Sequence, residues 1–274
     1  MSDLVPANFG PLLREWRLAR RLSQQALAER AEVSTRHLSF IETGRARASR
    51  EMTLVLGNAL DLPLRERNVL LGAAGFAPVY RETALDAAPM SHFSRALDFL
   101  LRQQEPYPAF VLDRVWNIVR MNGGATRLFT RILQDRPLPP PIVLRNIAHA
   151  IFHPEGLRDI IVDWPQLAAV MADRLHREAA FDPSPGGARE LRDEVLRYDG
   201  VPLRLRLPGL DAAPPPITIA AHLRFPDGSE ARFFTTLTTL GTPLDVTAEE
   251  VRIESYFPMD DATEAFVRAL AATA

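Results

Sequence analysis

SQQALAERAEVSTRHLSFIETG, residues 23–44, reads as two short helices meeting at a tight turn. Ser23 stands where a hydroxyl can accept from backbone N–H groups that a first helical turn leaves unpaired. Ala26, Leu27, Arg30 and Ala31 then recur at helical spacing. Ser34 opens the second helix, with Leu38 and Ile41 directed inward and Thr35, Arg36, His37, Ser39 and Phe40 on the remaining faces. Gly44 is placed to end that helix in a left-handed conformation. The outer face is polar, is led by an arginine and carries no acid until Glu42. Such a face suits a DNA major groove, where arginine pairs two acceptors on guanine and an apolar group meets a thymine methyl.

Working outward, residues 9–20 form a preceding helix, with Phe9, Leu13 and Trp16 as its apolar contacts. Ser49 caps a fourth helix through Leu60, where Met52, Leu56 and Leu60 fall at helical spacing, and Pro63 opens a fifth over Leu64–Ala73. The expected first domain is therefore an all-α bundle of five helices over residues 1–80. Residues 77–90, with Pro78, Pro89 and many small side chains, read as a connector; the linker is set at 81–90 and a second domain at 91–274.

The second domain opens with a helix over 93–103. The period then changes: 109–112 and 115–121 are short strand-like runs around Asp113-Arg114. Asn122-Gly123-Gly124 leads into a helix over 125–133. The proline-rich patch 137–141 starts a long helical region broken near Pro154 and Pro165, 183–187 is a loop, and 188–198 is a helix. Three strands follow, over 217–225, 231–239 and 251–257, the first two joined by Pro226-Asp227-Gly228. A helix over 260–272 closes the chain. An antiparallel sheet with helices makes this an α+β domain.

Composition narrows the function classes. The chain has 274 residues, 47% hydrophobic, enough for two cored domains. The net charge of −2 excludes a nonspecific polycation. Residues 1–80 nevertheless hold 11 arginines against 8 acids, a balance of +3 that leaves −5 for the remainder. A basic head on an acidic body fits contact with nucleic acid at one end. Without cysteine there are no disulfides, thiolate metal sites or cysteine nucleophiles. No signal-like N-terminus and no spanning apolar run are present, so a soluble, cytoplasmic protein without membrane contact is expected. There is no GxSxG, P-loop, GxGxxG or HExxH, and we expect no enzyme. His149 and His153 stand four apart with Glu155 beyond, but His153 precedes Pro154, where the helix ends, and neither a metal site nor a resident cofactor is expected.

With these phrases in hand the chain resembles a known family. LREWR, SQQALAERA, VSTRHLSFIETGR and ASREMTLVLGNAL are similar to the helix-turn-helix of Cro/repressor-type (XRE-type) regulators. LPLRERNVLLGAAGFAPVYRE, VLDRVWNIVRMN and LTTLGTPLDVTAEEVRIESYFP resemble the MmyB-like regulators, in which that domain is fused to a PAS-like ligand-binding domain. The resemblance implies that Arg17 pairs with Glu42. It also implies that Gln24 and Thr35 meet phosphate or base edges, that Arg36 and Phe40 project toward bases, and that Arg45, Arg47 and Arg50 follow the backbone, with His37 an accessory contact. Two positions depart from the family pattern: Glu32 stands where glycine is usual, and Ala48 where proline is usual. The expected partners are double-stranded DNA and a second copy of the chain, because one recognition helix offers too few contacts for a specific site.

For the second domain the apolar inventory, together with a PAS-like cavity, implies a small apolar or amphipathic ligand such as a fatty acid. Phe110, Ile118, Phe129, Ile151, Phe152, Trp164, Met171, Phe233, Thr235 and Leu237 are the expected lining. Thr235, Thr236, Thr238 and Thr239 are all candidates for hydroxyls near a ligand head group. A ligand-free oligomerisation domain and a metal- or cofactor-sensing domain stay open as alternatives.

Overall fold

The computed structural model describes residues 9–134, 136–180, 182, 186–207, 220–241 and 243–273. Five helices form the first unit: α1 (Phe9–Ala19), α2 (Gln24–Arg30), α3 (Thr35–Glu42), α4 (Arg50–Ala59) and α5 (Leu64–Ala73). Three serines start three of them. Ser23 Oγ accepts from Ala26 N at 3.0 Å, Ser34 Oγ from His37 N at 3.1 Å and Ser49 Oγ from Met52 N at 3.1 Å, each cap contributing about 1 kcal/mol. Leu13, Trp16, Leu27, Leu38, Ile41, Leu56 and Leu70 fill the core between them. Gly10 lets α1 approach the end of α3, since a Cβ there would stand 2.4 Å from the Glu42 carbonyl oxygen.

The helix ends share one device. After α3, Gly44 takes φ 73°, and Arg45 N donates back to Phe40 O. The same left-handed turn follows α1, α2 and α4, but there the residues are Arg21 (φ 54°), Glu32 (φ 54°) and Asp61 (φ 51°). Glu32 therefore keeps the left-handed conformation suited to the glycine usual there in the resembled family, and carries the steric strain of a Cβ.

The second unit holds α6 (Ser91–Gln103), β1 (Ala109–Leu112), β2 (Ile118–Met121), α7 (Gly123–Leu133), α8 (Pro141–Arg145), α9 (Ile147–Phe152), α10 (Trp164–Ala179), α11 (Ala188–Val195), β3 (Ala220–Arg224), β4 (Glu230–Thr238), β5 (Arg252–Pro258) and α13 (Asp261–Ala272). A five-residue helix, α12 (Val246–Glu250), precedes β5. All strands are antiparallel, in the order β2-β1-β5-β4-β3. Directly paired residues share a face of a sheet and neighbours along a strand alternate. Phe110 pairs with Glu254, Glu254 with Leu237, and Thr235 with Tyr256, so these five occupy one face. Ala109, Val111 and Ile253 lie on the other, packed against Leu97 and Leu101 of α6. Helices α7, α9, α10 and α11 supply the residues that pack on the first face.

Several expectations shift. The run 115–121 forms a strand only from Ile118, because Asp113 Oδ1 accepts from both Val115 N and Asn117 N at 2.9 Å, closing a turn in which Trp116 takes φ 67°. Pro165 opens α10 in its first turn rather than breaking a helix. The α8–α9 break falls at Asn146, whose side chain caps α9 through His149 N. Of the strand expected over 217–225, residues 217–219 lie outside the described residues, as do 183–185 of the expected loop. Residues Thr242–Glu249, expected to belong to the second domain, group with Met1–Ala84 in the first unit. There Thr83 Oγ1 donates to Asp245 Oδ2 at 2.6 Å and Leu64 N donates to Glu249 Oε2 at 2.6 Å.

Candidate DNA-reading face and candidate ligand cavity

Helix α3 is set by a buried ion pair at its C-terminal end. Arg17 Nε donates to Glu42 Oε1 at 2.6 Å and Nη2 to Oε2 at 2.9 Å. Both residues are under 10% exposed. Burial pushes the Glu42 carboxyl up, but hydrogen bonds from Arg17 and Gln24 outweigh it and hold Glu42 below the usual carboxylate range; the same hydrogen bond raises Arg17. The pairing inferred from the resemblance is therefore present. Gln24 is more constrained than expected: its Nε2 donates to Glu42 Oε2 at 2.8 Å, which fixes its amide beside the C-terminal end of α3 rather than leaving both ends open.

Thr35, Arg36, Arg45, Arg47 and Arg50 are exposed, while His37 and Phe40 are half-buried. The Arg36 guanidinium lies 5.3 Å from the centroid of the Phe40 ring, one helical turn on. Phe40 thus acts as a shelf that holds the arginine extended from the helix, a cation–π contact worth about 0.5–1 kcal/mol at an exposed site. Four guanidinium groups are gathered on α3, the loop after it and the start of α4.

In the second unit a cavity of about 110 Å³ lies between the first face of the sheet and helices α7, α9 and α10. That is roughly tenfold the ~10–15 Å³ one water needs on the same measure. Phe110, Phe129, Ile151, Met171, Thr235 and Leu237, all expected, line it. Four expected residues do not. Phe152 and Phe233 are fully buried as packing, Phe152 edge-to-face with Trp164 and Phe233 with Tyr256. Trp164 is held away by donating Nε1 to Ile151 O at 2.8 Å, and Ile118 sits on the edge strand β2, packed against the core. Of the four threonines only Thr235 faces the cavity. Thr236 and Thr238 alternate with it onto the opposite face, and Thr239 follows the strand's end.

The expected lining omitted the cavity's polar residues, Glu254, Tyr256 and Arg174, and the wall residue Trp116. Burial pushes the Glu254 carboxyl up to about 7, against the opposing pull of Arg174 and a hydrogen bond with Thr235. Burial also raises Tyr256 well above the usual phenol range. Glu178 anchors the wall: it accepts from Trp116 Nε1 at 2.9 Å, Arg174 Nε at 3.1 Å and Arg252 Nη1 at 2.6 Å. Both guanidinium groups lie over the Trp116 ring, at 4.8 and 5.4 Å. A lone inward acid in the strand RIESYFP was the available sequence signal for Glu254. His149 is a core histidine, its Nδ1 2.7 Å from the Tyr198 hydroxyl and its imidazole pushed down by burial. His153 Nδ1 accepts instead from Glu155 N. Among the described residues no three His, Cys, Asp or Glu side chains are gathered as a metal set, and no helix is long and apolar enough to cross a membrane.

The MmyB-like transcription regulator ligand binding domain matches residues 93–270. The chain belongs to the MmyB-like transcription regulators. A helix-turn-helix domain matches residues 8–70, over the unit that carries α1–α5. The protein is thus a DNA-binding transcription regulator with a ligand-binding domain. No curated protein sequence matches it. Among solved structures, an RNA-binding light-oxygen-voltage receptor aligns over 97% of this chain and 63% of that one, at 12% identity and a TM-score of 0.26. The chain thus spans under two thirds of that receptor, and a likeness so weak carries neither fold nor function.

Proposed function

We propose that this MmyB-like regulator binds a specific operator as a homodimer and adjusts that binding when a small apolar or amphipathic molecule, with a chain of fatty-acyl character, fills the cavity between sheet and helices. The supporting observation is the cavity itself. Its walls are aliphatic and aromatic, with polar atoms confined to a few side chains, the usual composition of a small-molecule site. A ligand shifts DNA affinity only by binding two arrangements of the protein unequally. On the DNA side, Arg36 reads bases from its Phe40 shelf, whereas Arg45, Arg47 and Arg50 hold phosphates, contacts that position without specifying sequence.

Mass spectrometry of protein purified under native conditions tests the ligand directly: a stoichiometric lipophilic molecule is expected, or a thermal upshift of the stripped protein with an aliphatic panel. A stripped protein that no member of the panel stabilises leaves a ligand-free oligomerisation domain in its place. Light scattering with and without operator tests the assembly, and a monomer in both states refutes the dimer.

A further inference from the structure

The polar end of the cavity is built around one carboxyl. Glu254 is 7% exposed, and its Oε2 has no hydrogen-bond partner among the described residues. The strand register puts it on the cavity face, between Phe110 of β1 and Leu237 of β4, its direct partners and themselves lining residues. A buried acceptor without a donor is costly, and the cost is relieved by any occupant that brings an N–H or O–H to it. Arg174 from α10 donates Nε to Glu178 and stands over Trp116, its charge acting on Glu254, while Thr235 from β4 hydrogen-bonds Glu254 itself. Tyr256, two residues along β5, presents a phenol that stays protonated.

We infer that the ligand's head group is a hydrogen-bond donor, an amine or a hydroxyl on an aliphatic chain, received by Glu254 Oε2, and that a free carboxylate head is disfavoured there. This rests on the cavity being the ligand site and adds the chemistry of the head. An ionised acid would place its negative charge against the Glu254 carboxylate wherever Glu254 is itself ionised, and the two would then compete for Arg174. An ammonium or hydroxyl meets the open lone pair instead. The aliphatic remainder lies along Phe129, Ile151 and Met171.

Decylamine, decanol and decanoate share one chain length and differ in head. Each is titrated into the stripped full-length protein by calorimetry at about pH 8, where the Glu254 carboxyl is largely ionised. The amine and the alcohol are expected to bind about tenfold more tightly than the acid. Glu254→Gln supplies an amide N–H in place of the charge, so it is expected to lower amine affinity and raise decanoate affinity. Should that variant fail to fold, wild-type protein at about pH 5.5 serves the same end: there Glu254 carries a proton, and decanoate gains while the amine loses. Arg174, Thr235 and Tyr256 face the same carboxyl, and the Tyr256 phenol, raised by burial, stays protonated across that range. Decanoate binding as tightly as the other two at the higher pH, unmoved by Glu254→Gln, overturns the head-group assignment and leaves the cavity reading standing. If none of the three binds, both fall.

Discussion

Replacing Arg17 by Met removes three donated hydrogen bonds at once. Two go to Glu42, at 2.6 and 2.9 Å, and the third, from Nη1 to Leu22 O at 2.8 Å, closes the turn after α1. Methionine preserves most of the apolar stem, so packing is nearly held. Glu42 is left buried with Gln24 still donating to it. Breaking one side of a buried pair costs about 3–5 kcal/mol. The pH dependence carries the sign of the effect. In the wild type the Glu42 carboxyl is held below its ordinary value, so its contribution is present above the unfolded carboxylate pKa and lost as pH falls through the depressed folded one. In Arg17→Met burial, the largest effect, is opposed only by the Gln24 hydrogen bond and the charge of Arg14, so the folded pKa rises above the unfolded one, and the penalty is greatest at neutral pH and shrinks in acid. The double variant Arg17→Met/Glu42→Met removes the stranded charge and is expected to return within about 1–2 kcal/mol of the wild type. Urea unfolding of the full chain, with hydrogen exchange on the α3 amides to isolate the first unit, measures all three. A single variant costing under ~1 kcal/mol, a loss that does not shrink in acid, or a double variant no better than the single refutes the reasoning.

Glu32→Gly is expected to stabilise the first unit by about 0.5–1 kcal/mol, because relief of a left-handed Cβ exceeds glycine's added unfolded-state entropy; a lowered urea midpoint contradicts it. Arg36→Ala is expected to cost roughly 1–3 kcal/mol of operator affinity and relax preference at one base position, whereas Arg47→Ala weakens all sequences alike and flattens the salt slope. Equal losses on operator and random duplex for Arg36→Ala remove its base-reading role. Glu254 has a folded pKa of about 7 against 4.5 unfolded, so the stability tied to its neutral form is present below 4.5 and lost as pH rises through 7. Glu254→Gln should therefore match the wild type in mild acid and exceed it at alkaline pH, by up to about 3 kcal/mol; parallel stability–pH curves would sink this.

Local chemistry was the most legible part of the sequence. Ser23, Ser34 and Ser49 could be read as caps because a cap needs only a hydroxyl and a following turn of helix, and each bonds as expected. The five-helix bundle and the antiparallel sheet follow from period together with caps and turn residues. Trp116 was misplaced because VWNIVRM alternates like a strand, whereas the deciding interaction is a pair of bonds to the side chain of Asp113. Cavity residues were half legible for a related reason. An aromatic inventory does not say which rings fill a core and which border a void, so Phe152 and Phe233 were counted with Phe110. Glu254 escaped because its meaning depends on which residues the register sets beside it. The short helix α12 is one turn long, held by Asp245 accepting from Thr247 N, too brief to show periodicity.

The segment before β5 has a bearing on how such proteins are cut and recombined. Pro63 gives α5 no side-chain cap, and Glu249 from far along the chain supplies an acceptor to Leu64 N instead. A fragment truncated after residue 84 would therefore leave its fifth helix without that acceptor. Grafting a foreign reading head onto this sensor at that junction would leave a loop whose former client is gone. Any exchange of the first unit for another has to carry the stray octet along.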